Sequence, residues 1–121
     1  MRFNLKILSP QEVMKPVILS GHHLLLTDAI KSLTIEKFQK LFRHEPSIIK
    51  ARVELVSERD HSHNITFIAK GFLDIQGPDL VAGASSNDLY KSIDLLVRKL
   101  DGQLRRRHGV WRVKRKDALA A

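Results

Sequence analysis

The chain has 121 residues, 43% of them hydrophobic and none of them cysteine. This composition fits one domain with one buried core, excludes a disulfide framework, and contains no apolar run near the ~20 residues of a membrane span. The missing cysteines and the short apolar runs predict a cytoplasmic protein with no membrane partner. The 21 Lys and Arg exceed the 13 Asp and Glu, for a net charge of +8 at pH 7, so we expect the protein to bind nucleic acid.

The first part of the chain predicts one short strand preceded by an N-terminal extension. Residues 1–13 are interpreted as this extension, and the alternation of polar and apolar residues over 2–7 predicts an extra strand within it. The short strand is expected over 16–20.

A helix is predicted over 27–43. Thr27 is its expected N-cap, and the helix must end before Pro46 because the residue preceding a proline disfavours helical geometry. Apolar residues recur at helical spacing along one face. They are Ile30, Leu33, Phe38, Leu41 and Phe42.

Three strands follow in a region rich in β-branched and aromatic residues. We expect them over 48–58, 65–75 and 80–84, with a polar hairpin connection over 59–64. Gly71, inside the second of these strands, is interpreted as a bulge.

The most regular apolar pattern predicts a long amphipathic helix near the C-terminus. Ser86 or Asn87 is its expected cap and Gly109 its expected end, so residues 109–121 are interpreted as a basic C-terminal tail. The apolar stripe consists of Leu89, Ile93, Leu96, Val97, Leu100 and Leu104.

The element order is therefore β-α-β-β-β-α, which predicts an α+β fold. Each helix has one apolar side to bury, so both helices are expected to pack on one face of a four-stranded, mainly antiparallel sheet. The extension would add an extra N-terminal strand. The α/β domain is assigned to residues 14–108.

Positive charge is concentrated in the last part of the chain. Residues 1–86 carry 11 basic and 9 acidic side chains, a net of +2, whereas residues 87–121 carry 10 basic and 4 acidic side chains, a net of +6. Because each neutralised phosphate releases condensed counterions, such a cluster favours binding to a polyanion.

Motifs over residues 14–108 resemble those of the ribosome hibernation promoting factor and protein Y family. Their order and spacing along the chain carry the resemblance more than any single motif does. They are SGHHL (20–24), TDAI (27–30), EKFQKL (36–41), GPDLVA (77–82), NDLYKSIDLLVRKL (87–100) and QLRR (103–106).

The resemblance implies the same β-α-β-β-β-α fold, which is similar to that of double-stranded RNA-binding domains. Members of the family bind ribosomal RNA of the small subunit in the channel for messenger and transfer RNA, and they inhibit translation under stress or in stationary phase. The resemblance thus implies a short-form ribosome hibernation factor, with the small ribosomal subunit as its partner and no cofactor. It leaves open whether the protein pairs ribosomes with a helper factor or silences single ribosomes.

Basic residues of both helices and of the tail are predicted to bind RNA. Lys91, Arg98 and Arg105 are seven residues apart and share one stripe of the last helix, and Lys99 and Arg106 share a neighbouring stripe. The alternative at each position is a solvated helix face. The predicted RNA-binding residues, of which the first two match basic positions of the family, are Lys37, Lys40, Lys91, Arg98, Lys99, Arg105, Arg106, Arg107, Arg112, Lys114, Arg115 and Lys116.

Two aromatic residues and the histidines have weaker interpretations. Trp111 either stacks on a base or packs on the core, and Tyr90 is expected in the core beside the apolar stripe. The six histidines do not predict a metal site, because their spacing does not gather a third ligand.

Two alternative functions stay open. A dimerising protein-interaction module, hence a homodimer, is favoured by the extra strand and the sheet edge that it offers. A general RNA-binding module is favoured by the charge alone. An enzyme is not expected, because the chain has no glycine-rich phosphate loop, nucleophile elbow or paired carboxylate motif.

Overall fold

The computed structural model describes residues 15–120, and the side chains of residues 15–108. The predicted extra strand within residues 1–13 lies outside the described residues. Within the described part of the chain, no helix combines the length and the apolar character needed to cross a membrane. The elements are β1 (Val17–His22), α1 (Asp28–His44), β2 (Ile48–Arg59), β3 (Ile65–Ile75), β4 (Leu80–Ser86) and α2 (Leu89–Ala120).

The strands form one sheet in the order β1-β2-β3-β4. β1 runs parallel to β2, because α1 carries the chain back between them, and β2–β3 and β3–β4 are antiparallel pairs. Both helices contribute to a single core on one face of the sheet. The predicted α+β fold and its mainly antiparallel sheet are thus confirmed, and the likeness to double-stranded RNA-binding domains stays a prediction.

The core is built from alternate residues of the two central strands. Ala51, Val53 and Leu55 of β2 are fully buried, and so are Ala69 and Leu73 of β3. The side chains between them point to the opposite face of the sheet, as the two-residue period of a strand requires. The helices close the core with Ile30, Phe38, Leu41 and Phe42 from α1 and Leu89, Ile93, Leu96, Leu100 and Leu104 from α2.

Gly71 marks a close approach of α2 to the sheet rather than the predicted bulge. It pairs regularly with Val53, and a Cβ added at Gly71 would lie 3.1 Å from methyl carbons of Leu96 and Leu100. The glycine therefore lets the apolar stripe of α2 sit directly on β3. The register shift lies instead in β2, between Ile48 and Lys50.

The predicted N-cap of α1 is confirmed. The Thr27 hydroxyl accepts a hydrogen bond from the backbone N–H of Ile30 at 3.2 Å. At the other end Glu45 is the C-cap, and its N–H donates to the carbonyls of Leu41 and Phe42 before Pro46 stops the helix.

The start of α2 differs from the prediction in two ways. Asp88 caps the helix, since its carboxylate accepts from the N–H of Tyr90 at 3.1 Å, and Ser86 holds the preceding turn through the N–H of Asp88. Tyr90 is 48% exposed rather than in the core, because it lies one residue, about 100° of helix rotation, beyond the buried Leu89.

Gly109 does not end α2. The backbone remains helical through Ala120. A helix-internal glycine costs only about 1 kcal/mol relative to alanine, and the residues after Gly109 include no proline to stop propagation.

Candidate nucleic-acid interface

Cations from both helices converge on a groove between α1 and α2. Lys37 and Lys40 come from α1, and Arg98 and Arg105 from α2. They meet because each lies beside the buried stripe of its helix, at the edge that faces the neighbouring helix. The groove has a volume of about 350 Å³, and Leu41, Val97 and Leu104 contribute its apolar lining.

Two aspartates of α2 pair with these cations. Asp94 bridges the helices, since its carboxylate lies 3.2 Å from Lys37 Nζ and 3.1 Å from Arg98 Nη2. Asp101 lies 3.0 Å from Arg105 Nη2. The side chains of Arg98 and Arg105 remain 74% and 80% exposed, and pairs this exposed contribute at most about 1 kcal/mol, so a phosphate group can replace the carboxylate partner.

A buried carboxylate joins the two helices at the end of the groove. The carboxylate of Glu45, the C-cap of α1, contacts His108 Nε2 of α2 and accepts from the Ser47 hydroxyl at 2.6 Å. Burial by itself raises the pKa of Glu45, but the contacts with Ser47 and His108 outweigh it, and the pKa lies below the ordinary value of 4.5. Glu45 is therefore ionised at neutral pH and holds the distal part of α2 against α1.

The opposite flank of α2 secures the edge of the sheet. Lys99, Gln103 and Arg107 are four residues apart and therefore lie on one side of the helix. They donate to backbone oxygens at β4 and at the turn before it. The bonds are Lys99 Nζ to Gly83 O at 2.7 Å, Gln103 Nε2 to Val81 O at 3.2 Å, and Arg107 Nη2 to Pro78 O.

The predicted RNA-binding residues of α2 are thus divided between two flanks of that helix. Lys91 and Arg106 are exposed, the first in line with the groove cations by its seven-residue spacing and the second in line with Lys99. The side chains of the remaining four, and of Trp111, lie outside the described residues, although their backbone is helical. Those four are Arg112, Lys114, Arg115 and Lys116.

The sequence-based prediction missed His44 and Glu45 of the groove lining and the two aspartates that pair with groove cations. His44 lines the groove from the last turn of α1. Asp94 and Asp101 each stand four residues before an arginine, and this spacing is the signal of a pair on one helix face. That signal was available in the sequence, whereas the bridge from Asp94 to Lys37 depends on how the helices pack.

Five of the six histidines lie in turns and at element ends, and the sixth, His108, lies within α2. His23 and His63 adopt positive φ angles of 58° and 66°, a conformation for which histidine is among the enriched residues. Within the described residues, no three His, Asp or Glu side chains are close enough to hold a metal ion.

The fold and the groove define a class: a small α+β protein whose two helices present cations on the side of the molecule opposite the open sheet face. The model of the family described as Sigma 54 modulation protein / S30EA ribosomal protein matches residues 17–111. Because this match covers most of the chain, the chain belongs to that family.

Curated relatives agree with the family match. The ribosome hibernation promoting factor of Azotobacter vinelandii is 36% identical over 88 residues, which cover 73% of this chain and 78% of the relative. That of Salmonella typhimurium is 32% identical over 88 residues, with 73% and 87% covered. The resemblance drawn from the sequence motifs is thereby confirmed.

Solved structures share the fold. A ribosomal subunit interface protein from Coxiella burnetii aligns with a TM-score of 0.69 at 22% identity, covering 78% of this chain and 98% of that one. The N-terminal domain of Thermus thermophilus Protein Y aligns with a TM-score of 0.57 at 25% identity, covering 75% and 93%.

Proposed function

We propose that this protein is a ribosome hibernation factor that binds ribosomal RNA of the small subunit, in the channel for messenger and transfer RNA, and thereby inhibits translation under stress or in stationary phase. Membership of the family and the names of the relatives support a role at the ribosome. The observation that carries the RNA-binding part is the convergence of cations from two separate helices on one groove.

The chemistry proposed for this groove is binding without catalysis. Arg98 and Arg105 are positioned to hold phosphate oxygens with paired donors, and Lys37 and Lys40 act as point charges on the facing helix. Such contacts follow the shape of folded RNA rather than its base sequence, because they reach phosphates and not base edges. Inhibition would result from occupancy alone.

The other predicted residues are assigned roles by their position. Lys91 and Arg106 extend the cationic surface from α2. Lys99 and Arg107 donate to backbone oxygens at β4 and at the turn before it. We propose that their main role is to stabilise the fold and that contact with RNA is a lesser one. The four basic residues from Arg112 to Lys116 would continue the surface along the helical backbone.

Cosedimentation with small ribosomal subunits in a salt series tests the proposal. Lys40→Ala with Arg105→Ala removes two groove cations, whereas Lys31→Ala with Arg43→Ala removes the same charge from exposed positions of α1 outside the groove lining. The groove pair should lower the slope of log affinity against log salt by about 1.8, since each phosphate contact contributes about 0.9. The control pair should change it by less than half of that.

Two results would contradict the proposal. Retention that is insensitive to salt would exclude phosphate contacts as the source of affinity. Equal losses in the groove pair and in the control pair would show that total charge, and not the groove, attracts the RNA.

A further inference from the structure

The sheet face opposite the helices carries a row of four large side chains. In the strand register, Ile18 of β1 lies beside Arg52 of β2, Arg52 beside Phe72 of β3, and Phe72 beside Val81 of β4. Ile18 is 49% and Val81 is 56% exposed. Across the whole width of the sheet, this row therefore offers apolar surface to solvent, interrupted by one cation.

The two central members of the row form a stacked pair. The guanidinium carbon of Arg52 lies over the ring of Phe72, 4.5 Å from its centroid. This distance is within the range of a cation–π contact, which holds the guanidinium against the sheet. Arg52 itself is exposed, so the outer side of the pair is accessible to a flat partner.

Further cations surround this pair. Lys50 and Lys70 lie on the same face as Arg52 and Phe72, two residues away along their strands. Lys70 pairs in register with Gly83, so no side chain of β4 covers it there. Three carboxylates share the face: Asp74 lies 3.5 Å from Lys50, Glu54 is the register partner of Lys70, and Glu58 lies farther along β2.

Single-stranded RNA fits this combination better than duplex RNA or a protein. Unpaired bases stack on aromatic rings and on guanidinium planes, and aromatic side chains on four-stranded sheets stack two or three bases in this way. A duplex hides its bases, so the stacked pair would gain nothing from it. Among the described residues, Arg52 and Lys70 form no salt bridge, which leaves two cations for an anionic backbone beside the stack.

We propose that this open sheet face is a second nucleic-acid site, separate from the groove between the helices, that takes unpaired nucleotides of single-stranded RNA. One base stacks on the Arg52–Phe72 pair, the apolar side chains of Ile18 and Val81 contact its neighbours, and Lys70 lies near a phosphate. The site does not depend on the ribosome for its chemistry, so it can be tested with RNA alone.

The test is a titration of the isotopically labelled protein with a single-stranded hexauridylate, followed by nuclear magnetic resonance. The ring signals of Phe72 and the side-chain signals of Arg52 should shift and saturate together. Arg52→Ala should weaken binding about 5- to 150-fold, the range for loss of one stacked base. Arg43→Ala removes the same charge from an exposed position on α1 and should weaken binding much less.

A second variant separates the stack from the charge. Arg52→Lys keeps the charge but not the planar guanidinium, so it should lose nearly as much affinity as Arg52→Ala. Because Arg52 is exposed, both variants are expected to fold. Far-ultraviolet circular dichroism verifies this.

Three results would overturn the inference. The first is full affinity in Arg52→Lys, and the second is an equal loss in Arg52→Ala and Arg43→Ala. The third is a shift of the Phe72 signals with protein concentration in the absence of RNA, which would identify the face as a contact between two copies of the chain. None of these results bears on the groove variants, so failure here is distinguishable from failure of the proposed function.

Discussion

Removing a carboxylate that pairs with groove cations should tighten RNA binding. Asp94 pairs with Lys37 and Arg98, and phosphate must displace its carboxylate to reach these two cations. Asp94→Asn removes both ion pairs, each worth at most about 1 kcal/mol, so the affinity at a fixed salt concentration should rise by up to about thirtyfold. Asp101 pairs only with Arg105, so Asp101→Asn should raise the affinity by up to about fivefold.

Anisotropy of labelled protein with isolated small subunits would measure both affinities at one salt concentration. Asp28→Asn is the control, because it removes an exposed carboxylate from the first turn of α1, outside the groove lining and outside the open sheet face. It should leave the affinity for small subunits nearly unchanged. Weaker binding by Asp94→Asn, or a gain no larger than that of Asp28→Asn, would refute the reasoning and indicate that Asp94 orients the cations instead of competing with RNA.

Two further predictions concern the stability of the α/β domain that contains the groove. The pKa of Glu45 is lowered in the folded state. This carboxylate therefore stabilises the fold at pH values above 4.5, and the contribution is lost as the pH falls through its folded pKa. Urea unfolding between pH 3 and 7 should show the loss. Glu45→Gln should flatten the profile and lower the free energy of unfolding at pH 7 by about 1–3 kcal/mol, whereas an unchanged profile would show that His108 does not stabilise the carboxylate. Gly71→Val should cost about 1–3 kcal/mol through overpacking against α2, measured by thermal unfolding. Gly83→Val is its control, because a Cβ there meets nothing closer than 3.9 Å, and equal losses would argue against the close approach of α2.

The sequence predicts the element order because each element has a clear period. The stripe from Leu89 to Leu104 fits only a helix, and the strand over 65–75 is observed with the predicted bounds. The errors fall where tertiary contacts decide. In the sequence alone, Gly71 suggests a bulge. Only the packing of α2 against β3 shows why a side chain is excluded at this position.

The site was predictable in its residue types but not in its arrangement. Spacing of seven residues placed Arg98 and Arg105 on one stripe, and the structure brings them together with the α1 lysines. Nothing in the spacing of Lys99 shows that its amine meets the Gly83 carbonyl, since this depends on where β4 lies relative to α2. A helix in contact with a sheet edge therefore has basic residues in two different environments, which sequence alone does not distinguish.

This division of α2 predicts that two neighbouring arginines have separable effects. Arg105 is exposed and lines the groove, so Arg105→Ala should reduce the salt slope by about 0.9 and leave the unfolding temperature nearly unchanged. Arg107 donates to Pro78 at the turn before β4, so Arg107→Ala should lower the free energy of unfolding by about 1 kcal/mol and change the slope less. Thermal unfolding and the salt series on the same two proteins provide the comparison. Reversed effects would mean that the sheet-edge flank, and not the groove, faces the RNA.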